Sequence, residues 1–360
     1  MNRKFRHWLP LLFASATVFA ADSKVACVGN SITYGYGLDR QDLENYPLRL
    51  DSLLGTGWAT TNLGNSGKTM LKGVGDAYWS QPEFPKALAL LPNVVVIELG
   101  TNDAKDYIWN YHKAEFAKDY RAMIDTFRTL SSKPQVWTTL QPRANNLSWS
   151  MPDTTIARQV NPLILSTAMA AAAGVIDLRT GLAGHPEWFQ SDSVHPNAAG
   201  ALALAKVVAG MLKHAPATVT ESGGSLSATQ GASYQWYRND LLLAGDSART
   251  LASRTAGTYK VSVRVDAGSQ SRIVSAPYAW TPGGTALSSR SQGNAIVVVD
   301  RSGHIRAQLP VGRSMDRFEL RDRSGRLVPG QGVLPGVYLW EIVSGATRWT
   351  GTVVVARTGT

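Results

Sequence analysis

The stretch Val94-Val95-Val96-Ile97-Glu98-Leu99-Gly100-Thr101-Asn102-Asp103 decides the fold. Its first half is a near-continuous run of β-branched and apolar residues, as a strand covered on both faces requires. Its second half turns to glycine, hydroxyl and amide side chains, the texture of a loop at the strand's end. The pattern repeats outward in both directions. Strand candidates are Lys24–Val28, Ala59–Leu63, Val94–Leu99, Gln135–Leu140 and Val175–Leu178. Between and after them, helix periodicity runs over Tyr46–Leu54, Phe84–Leu91, Ala114–Leu130, Thr155–Ala173 and Asn197–Leu212. Strands alternating with helices predict a parallel sheet with helices on both faces, an α/β domain over 23–214. In such sheets reactive groups collect beyond the carboxyl ends of the strands.

Upstream, Arg3, Lys4 and Arg6 precede an apolar run from Trp8 to Phe19, and Val18-Phe19-Ala20 places small residues at −3 and −1 of a cleavage site. A basic start, a short apolar core and that ending read as a secretory signal peptide over 1–20. It is too short and wrongly flanked for a spanning helix, so the mature chain is expected to carry no membrane span. The expected location is bacterial extracellular or periplasmic, secreted or attached to the cell surface. The single cysteine, Cys27, excludes an internal disulfide framework and lies in an apolar strand as an inert core residue.

Downstream the texture changes near 215–223, from Ala-Pro to Ser-Gly-Gly, and only strand-and-turn sequence follows. Ser233–Tyr237 and Gly257–Val263 read as two sandwich strands, with Trp236 as a core tryptophan and Tyr259 at a tyrosine-corner position. They resemble an immunoglobulin-like domain over 217–280 that lacks the disulfide. A second break at Thr281-Pro282-Gly283-Gly284 precedes a third segment, 285–360. There, Leu334–Trp340 and Thr352–Val355 resemble the C-terminal sorting or attachment modules of secreted bacterial enzymes. The formal charge of +10 lies mostly here: 215–360 holds 15 Arg and one Lys against nine carboxylates. No nucleic-acid reading motif accompanies this charge, so no nucleic-acid partner is expected.

The chemistry gathers at the strand ends. Val28-Gly29-Asn30-Ser31 lifts a serine to the carboxyl edge of the sheet. Asn62-Leu63-Gly64-Asn65-Ser66-Gly67 follows the second strand, and Gly67 can present a bare N–H because no Cβ blocks approach. Asn102 offers an amide donor after the third strand. Two such donors and the Ser31 N–H would form an oxyanion hole. Before the last helix, Ser191-Asp192-Ser193-Val194-His195 sets a carboxylate three residues from an imidazole, close enough to fix its tautomer. His112, His185, His214 and His304 lack that context.

In this order the four blocks resemble the SGNH/GDSL hydrolase superfamily, nearest its sialate-O-acetylesterase-like and carbohydrate acetylesterase branch. The likeness covers about 23–212. It implies a flavodoxin-like three-layer sandwich, followed here by one or two all-β sandwich domains. It also implies Ser31 as nucleophile, His195 as base, Asp192 as its orienting acid, and Ser31, Gly67 and Asn102 as the oxyanion hole. Asn30 departs from the family, where many members carry Asp, and this bears on local hydrogen bonding rather than on the catalytic set. Neither a G-x-S-x-G elbow nor H-E-x-x-H is present, which argues against an α/β-hydrolase and a zinc hydrolase. No cofactor and no metal are expected.

The expected substrate is an acetylated polysaccharide or other carbohydrate ester. Rings near the blocks suit sugar faces: Trp79, Tyr107 and Trp109 as substrate contacts, with Tyr34, Tyr36 and Trp188 nearby. The C-terminal module would meet secretion or surface-sorting machinery. Two alternatives stand: a lipase, thioesterase or arylesterase using the same residues, or a non-catalytic glycan-binding or surface-display protein.

Overall fold

The computed structural model describes residues 22–222, 224–252 and 255–280, and beyond them 296–299, 305–308, 317–322, 326–328, 336–344 and 347–355. The leader at 1–20 lies outside the described residues, as do parts of the proposed C-terminal module. The chain divides into two compact units: 1–164 with 181–213, and 165–180 with 214–360.

In the first unit four strands pair in parallel: β1 (Ser23–Gly29), β2 (Trp58–Gly64), β3 (Val94–Glu98) and β4 (Gln135–Leu140). Their order is β2-β1-β3-β4, with Val25 opposite Val94 and Gly29 opposite Gly64. All of β3 is buried, its apolar run Val94–Ile97 as well as the closing Glu98. The chain steps one way from β1 to β2, then back across β1 to β3. Right-handed crossovers therefore set the first connecting helix on one face and the next two on the other. The packing agrees. Phe84 of helix Glu83–Ala89 meets Phe127 of helix Asp106–Thr129 with ring centroids 6.1 Å apart.

The long helix buries Phe116, Tyr120, Met123, Ile124 and Phe127, a stripe at helical spacing, and Tyr120 Oη reaches the Ile97 carbonyl at 3.3 Å. It starts two turns earlier than its periodicity predicts, because its first turns carry exposed Tyr107 and Tyr111 that mask the pattern. The helix predicted over 155–173 is interrupted. A π turn at Ile156–Val160 precedes an α-helix at Asn161–Ala170. Pro162 supplies the cause, since it has no N–H to continue the i to i−4 ladder.

The second unit is strand-rich. Strand β5 (Gly174–Asp177) pairs antiparallel with Arg272–Val274, and the sheet continues through Gly257–Arg264 and Ser233–Arg238 to Leu241–Leu242. Thr250–Ala252, Ser225–Ala228 and Val219–Ser222 form a second, three-stranded sheet. Trp236 is fully buried and its Nε1 donates to the Ala248 carbonyl at 2.9 Å. Tyr259 Oη donates to the Thr255 carbonyl, four residues upstream, at 2.6 Å. Further strands at 317–321, 336–344 and 347–355 pair antiparallel. Among the described residues no helix is long and apolar enough to cross a membrane.

Candidate active site

The strand order reverses between β1 and β3, so the loops after these strands part and leave a crevice at their carboxyl ends. Ser31 opens a single helical turn immediately after β1. Asn30 caps that turn, its Oδ1 accepting the Ile32 N–H at 2.8 Å. Gly64 is required at the last position of β2, because a Cβ there would collide with the backbone of Tyr34 in the serine's own turn.

Ser31 Oγ lies 2.8 Å from His195 Nε2, and His195 Nδ1 lies 2.6 Å from Asp192 Oδ2. The Asp192 carboxylate therefore selects the tautomer with hydrogen on Nδ1, leaving Nε2 to accept from the serine hydroxyl. Asp192 is fixed in turn: its Oδ1 accepts the N–H groups of Val194 and His195 at 2.9 and 3.0 Å. Burial pushes the carboxyl pKa up, but the bond from the His195 ring and those two N–H groups outweigh it. The net direction is downward, so the group stays ionised at neutral pH. Ser193, inside this turn, has φ +58°, a left-handed conformation that a non-glycine residue adopts at some cost. Gln190 holds the turn from below, its N–H donating to the His195 carbonyl at 2.8 Å and its Nε2 to the Tyr36 carbonyl at 2.8 Å.

Three residues with candidate donors line the same crevice. The Ser31 N–H is at the first position of its turn, where no intrahelical acceptor exists. Gly67 has φ +80°, open to glycine and strained for other residues. Asn102 Nδ2 gives one hydrogen to the Lys68 carbonyl at 3.1 Å, which orients the amide and leaves the other hydrogen for the crevice. Asp103, which the sequence reading passed over, clamps the Gly67 loop. Its two oxygens accept the Met70 and Leu71 N–H groups, each at 2.9 Å. Burial nonetheless raises its pKa to about 6.

A cavity of about 410 Å³ opens on these groups, lined among others by Ser31, Ser66, Gly67, Asn102 and His195. Tyr107 is on its wall, 59% exposed. Trp79 and Trp109 are not, and the expectation that they contact substrate is corrected. Trp109 faces inward on the long helix, 2% exposed, with its Nε1 on Gln159 Oε1 at 2.8 Å. Trp79 donates to the Met70 carbonyl at 2.8 Å and lies under the Lys72 ammonium, bracing the loop from behind. Trp188 stacks on His185 with centroids 3.7 Å apart. The rings that do flank His195 are Tyr36 at 4.7 Å and Trp149 at 5.7 Å. Trp149 was missed, because its loop has no periodicity and lies far from the blocks in sequence. The Ser66 hydroxyl is a second omission: it lines the cavity, buried and without a hydrogen-bond partner.

Beneath the serine turn sits a buried polar knot. Thr33 Oγ1 donates to Glu98 Oε2 at 3.1 Å, while Glu98 Oε1, Asn30 Nδ2 and Tyr46 Oη are packed together without a well-aligned hydrogen bond. Burial pushes Glu98 up to about 8. Cys27 is fully buried and its thiol is pushed up to about 12, far from any thiolate chemistry. Among the described residues no cluster of His, Cys, Asp and Glu could hold a metal ion.

Residues 27–203 match the sequence profile of the GDSL-like Lipase/Acylhydrolase family, and this part of the chain belongs to it as a GDSL/SGNH hydrolase domain. Over 207 residues the chain is 32% identical to an acetylxylan esterase of Xylanibacter ruminicola, covering 53% of this chain and 43% of that protein. The chain thus spans less than half the length of this relative. Similar solved structures include a carbohydrate acetylesterase from Sinorhizobium meliloti, 17% identical over 53% of this chain and 98% of that one, TM-score 0.43. Another is the aryl esterase of M. smegmatis, 18% identical over 53% of this chain and 99% of that one, TM-score 0.41.

Proposed function

We propose that the chain is a secreted serine esterase that removes O-acetyl groups from a carbohydrate. The observation that carries this reading is the unbroken relay from Ser31 Oγ through both nitrogens of His195 to Asp192, at 2.8 and 2.6 Å. Ser31 Oγ attacks the acetyl carbonyl carbon as His195 Nε2 takes its proton. The ionised Asp192 stabilises the imidazolium that results. The carbonyl oxygen, now an oxyanion, is held by the Ser31 and Gly67 N–H groups and Asn102 Nδ2. The intermediate collapses with the C–O bond to the sugar breaking, and His195 returns its proton to the departing hydroxyl. Water then attacks the acetyl carbonyl as His195 takes its proton, the acyl bond to Ser31 breaks with His195 returning that proton to Ser31 Oγ, and acetate leaves with the enzyme regenerated.

Acetyl as the transferred group is supported by Tyr36 and Trp149, which stand against the imidazole and narrow the space beside the nucleophile. The acetylxylan esterase relative supports a glycan as the leaving group. The basic-then-apolar leader supports export. The buried Trp236 and the Tyr259 corner support an immunoglobulin-like second unit, with the last strands serving sorting or attachment. Ser31→Ala should abolish hydrolysis of 4-nitrophenyl acetate with thermal unfolding unchanged. Acetate release from a panel of acetylated xylan, mannan, pectin and sialic acid then assigns the leaving group. A variant that keeps most of its activity refutes the nucleophile. A preference for acyl chains longer than butyrate refutes the acetyl reading in favour of a lipase or thioesterase.

A further inference from the structure

The walls of the cavity beside Ser31 are mostly hydroxyls, rings and the thioether of Met151. Among the lining residues only Lys105 has a permanently charged side chain. The residue is half-buried, and no carboxylate of the described residues lies within 4.0 Å of its ammonium. Other lysines of the same unit are engaged: Lys68 pairs with Asp76 at 2.9 Å, Lys72 sits over Trp79 at 3.8 Å, and Lys213 donates to the Leu53 carbonyl at 2.6 Å. No ion pair of the described residues holds the Lys105 cation in place. Lys105 immediately precedes the helix Asp106–Thr129, where the helix end is already positive and a cation has the unfavourable sign. An anion brought by the ligand would reverse that balance.

We propose that Lys105 recognises a carboxylate on the substrate, so that the ester cleaved at Ser31 is borne by an acidic sugar rather than a neutral one. This rests on the esterase reading above and narrows its substrate class. The rings of Tyr107 and Trp149, on the same cavity, offer faces to the sugar. The acetyl group enters beside His195 while the carboxylate of the same or the next residue meets the ammonium. A partly exposed ion pair of this kind is worth roughly a 3- to 10-fold preference.

The test uses the full chain and two substrates: O-acetylated oligogalacturonate and its carboxyl-reduced counterpart, equal in backbone and acetylation and differing in charge. The ratio of their kcat/KM values should be ~3–10 for the wild type and shrink as salt is added. Lys105→Met should bring the ratio close to one. Lys113→Met, which removes an exposed charge from the same helix away from the cavity, should leave it as in the wild type. A wild-type ratio near one, or a Lys105→Met ratio equal to the wild type's, overturns the proposal. Loss of rate on both substrates alike in Lys105→Met also overturns it, because that marks a structural role. Failure of the esterase reading is seen separately, as no hydrolysis of 4-nitrophenyl acetate by the wild type. In that event calorimetric binding of unacetylated oligogalacturonate to the Ser31→Ala chain, with and without Lys105→Met, still decides the subsite: loss of binding in the double variant supports it, and unchanged or absent binding overturns it.

Discussion

Replacing Glu98 by Gln should make the protein more stable, and more so the higher the pH. Glu98 is fully buried beneath the Ser31 turn and receives a hydroxyl hydrogen bond from Thr33 at 3.1 Å. Burial raises its pKa from 4.5 to about 8. The groups around it do not provide a cation: Thr33 and Asn30 are neutral, and Tyr46 and Tyr120 are phenols that burial keeps protonated. The sign follows from linkage. The native chain holds the proton that the unfolded chain releases near pH 4.5, so this residue's contribution is fully present below that pH and is lost as pH rises towards 8. The gap between 4.5 and about 8 corresponds to a loss of roughly 4–5 kcal/mol. Glutamine has the shape and donor capacity of the neutral acid and no proton to lose. Urea unfolding of wild type and Glu98→Gln at pH 5 and pH 8 measures the effect. Asp103, also raised, is common to both proteins and cancels in the difference. The advantage of Gln should grow by roughly 3–5 kcal/mol between the two pH values. Stability curves that stay parallel within about 1 kcal/mol would show that Glu98 is ionised in the native protein, and the argument from burial would fail.

Asn102→Ala should lower kcat on 4-nitrophenyl acetate by ~10²–10³ with little change in KM, as for one lost oxyanion donor, and a loss under tenfold would leave Asn102 only a support for the Lys68 carbonyl. Asp192→Asn should cost on the order of 10⁴ in kcat by releasing the imidazole tautomer, with the fold intact by circular dichroism. The two tryptophans should separate cleanly. Trp109→Ala should lower stability by roughly 3–5 kcal/mol without altering acyl-chain preference, whereas Trp149→Ala should raise activity on butyrate relative to acetate with a small change in melting temperature. Equal behaviour of the two variants would contradict their placement.

The sheet was legible because β-branched runs such as Val94–Ile97 and helix periods such as Phe116–Phe127 are dictated by burial on fixed repeats. The strand ends were legible for a different reason: Ser31, Gly67, Asn102, Asp192 and His195 are short polar words at places where the backbone must turn. Proximity in sequence misled at Trp109. It lies near Asn102 along the chain, but helical rotation carries it inward to Gln159. Trp149 and Ser66 carry no periodic signal, and their role is set by tertiary placement alone. Glu98 escaped notice inside an apolar run, where one carboxyl barely dents the pattern. Pro162, read together with the periodicity around it, was the available sign that the helix over 155–173 would break.

The loop that carries Trp149 does more than bound the cavity. Asn146 Nδ2 donates to the Asp192 carbonyl at 3.1 Å, and the Asn145 N–H donates to the Ser193 carbonyl at 3.2 Å. The short segment that lines one side of the cavity is thus bolted to the turn that carries Asp192 and His195. Widening this doorway for bulkier guests would loosen the proton relay behind it.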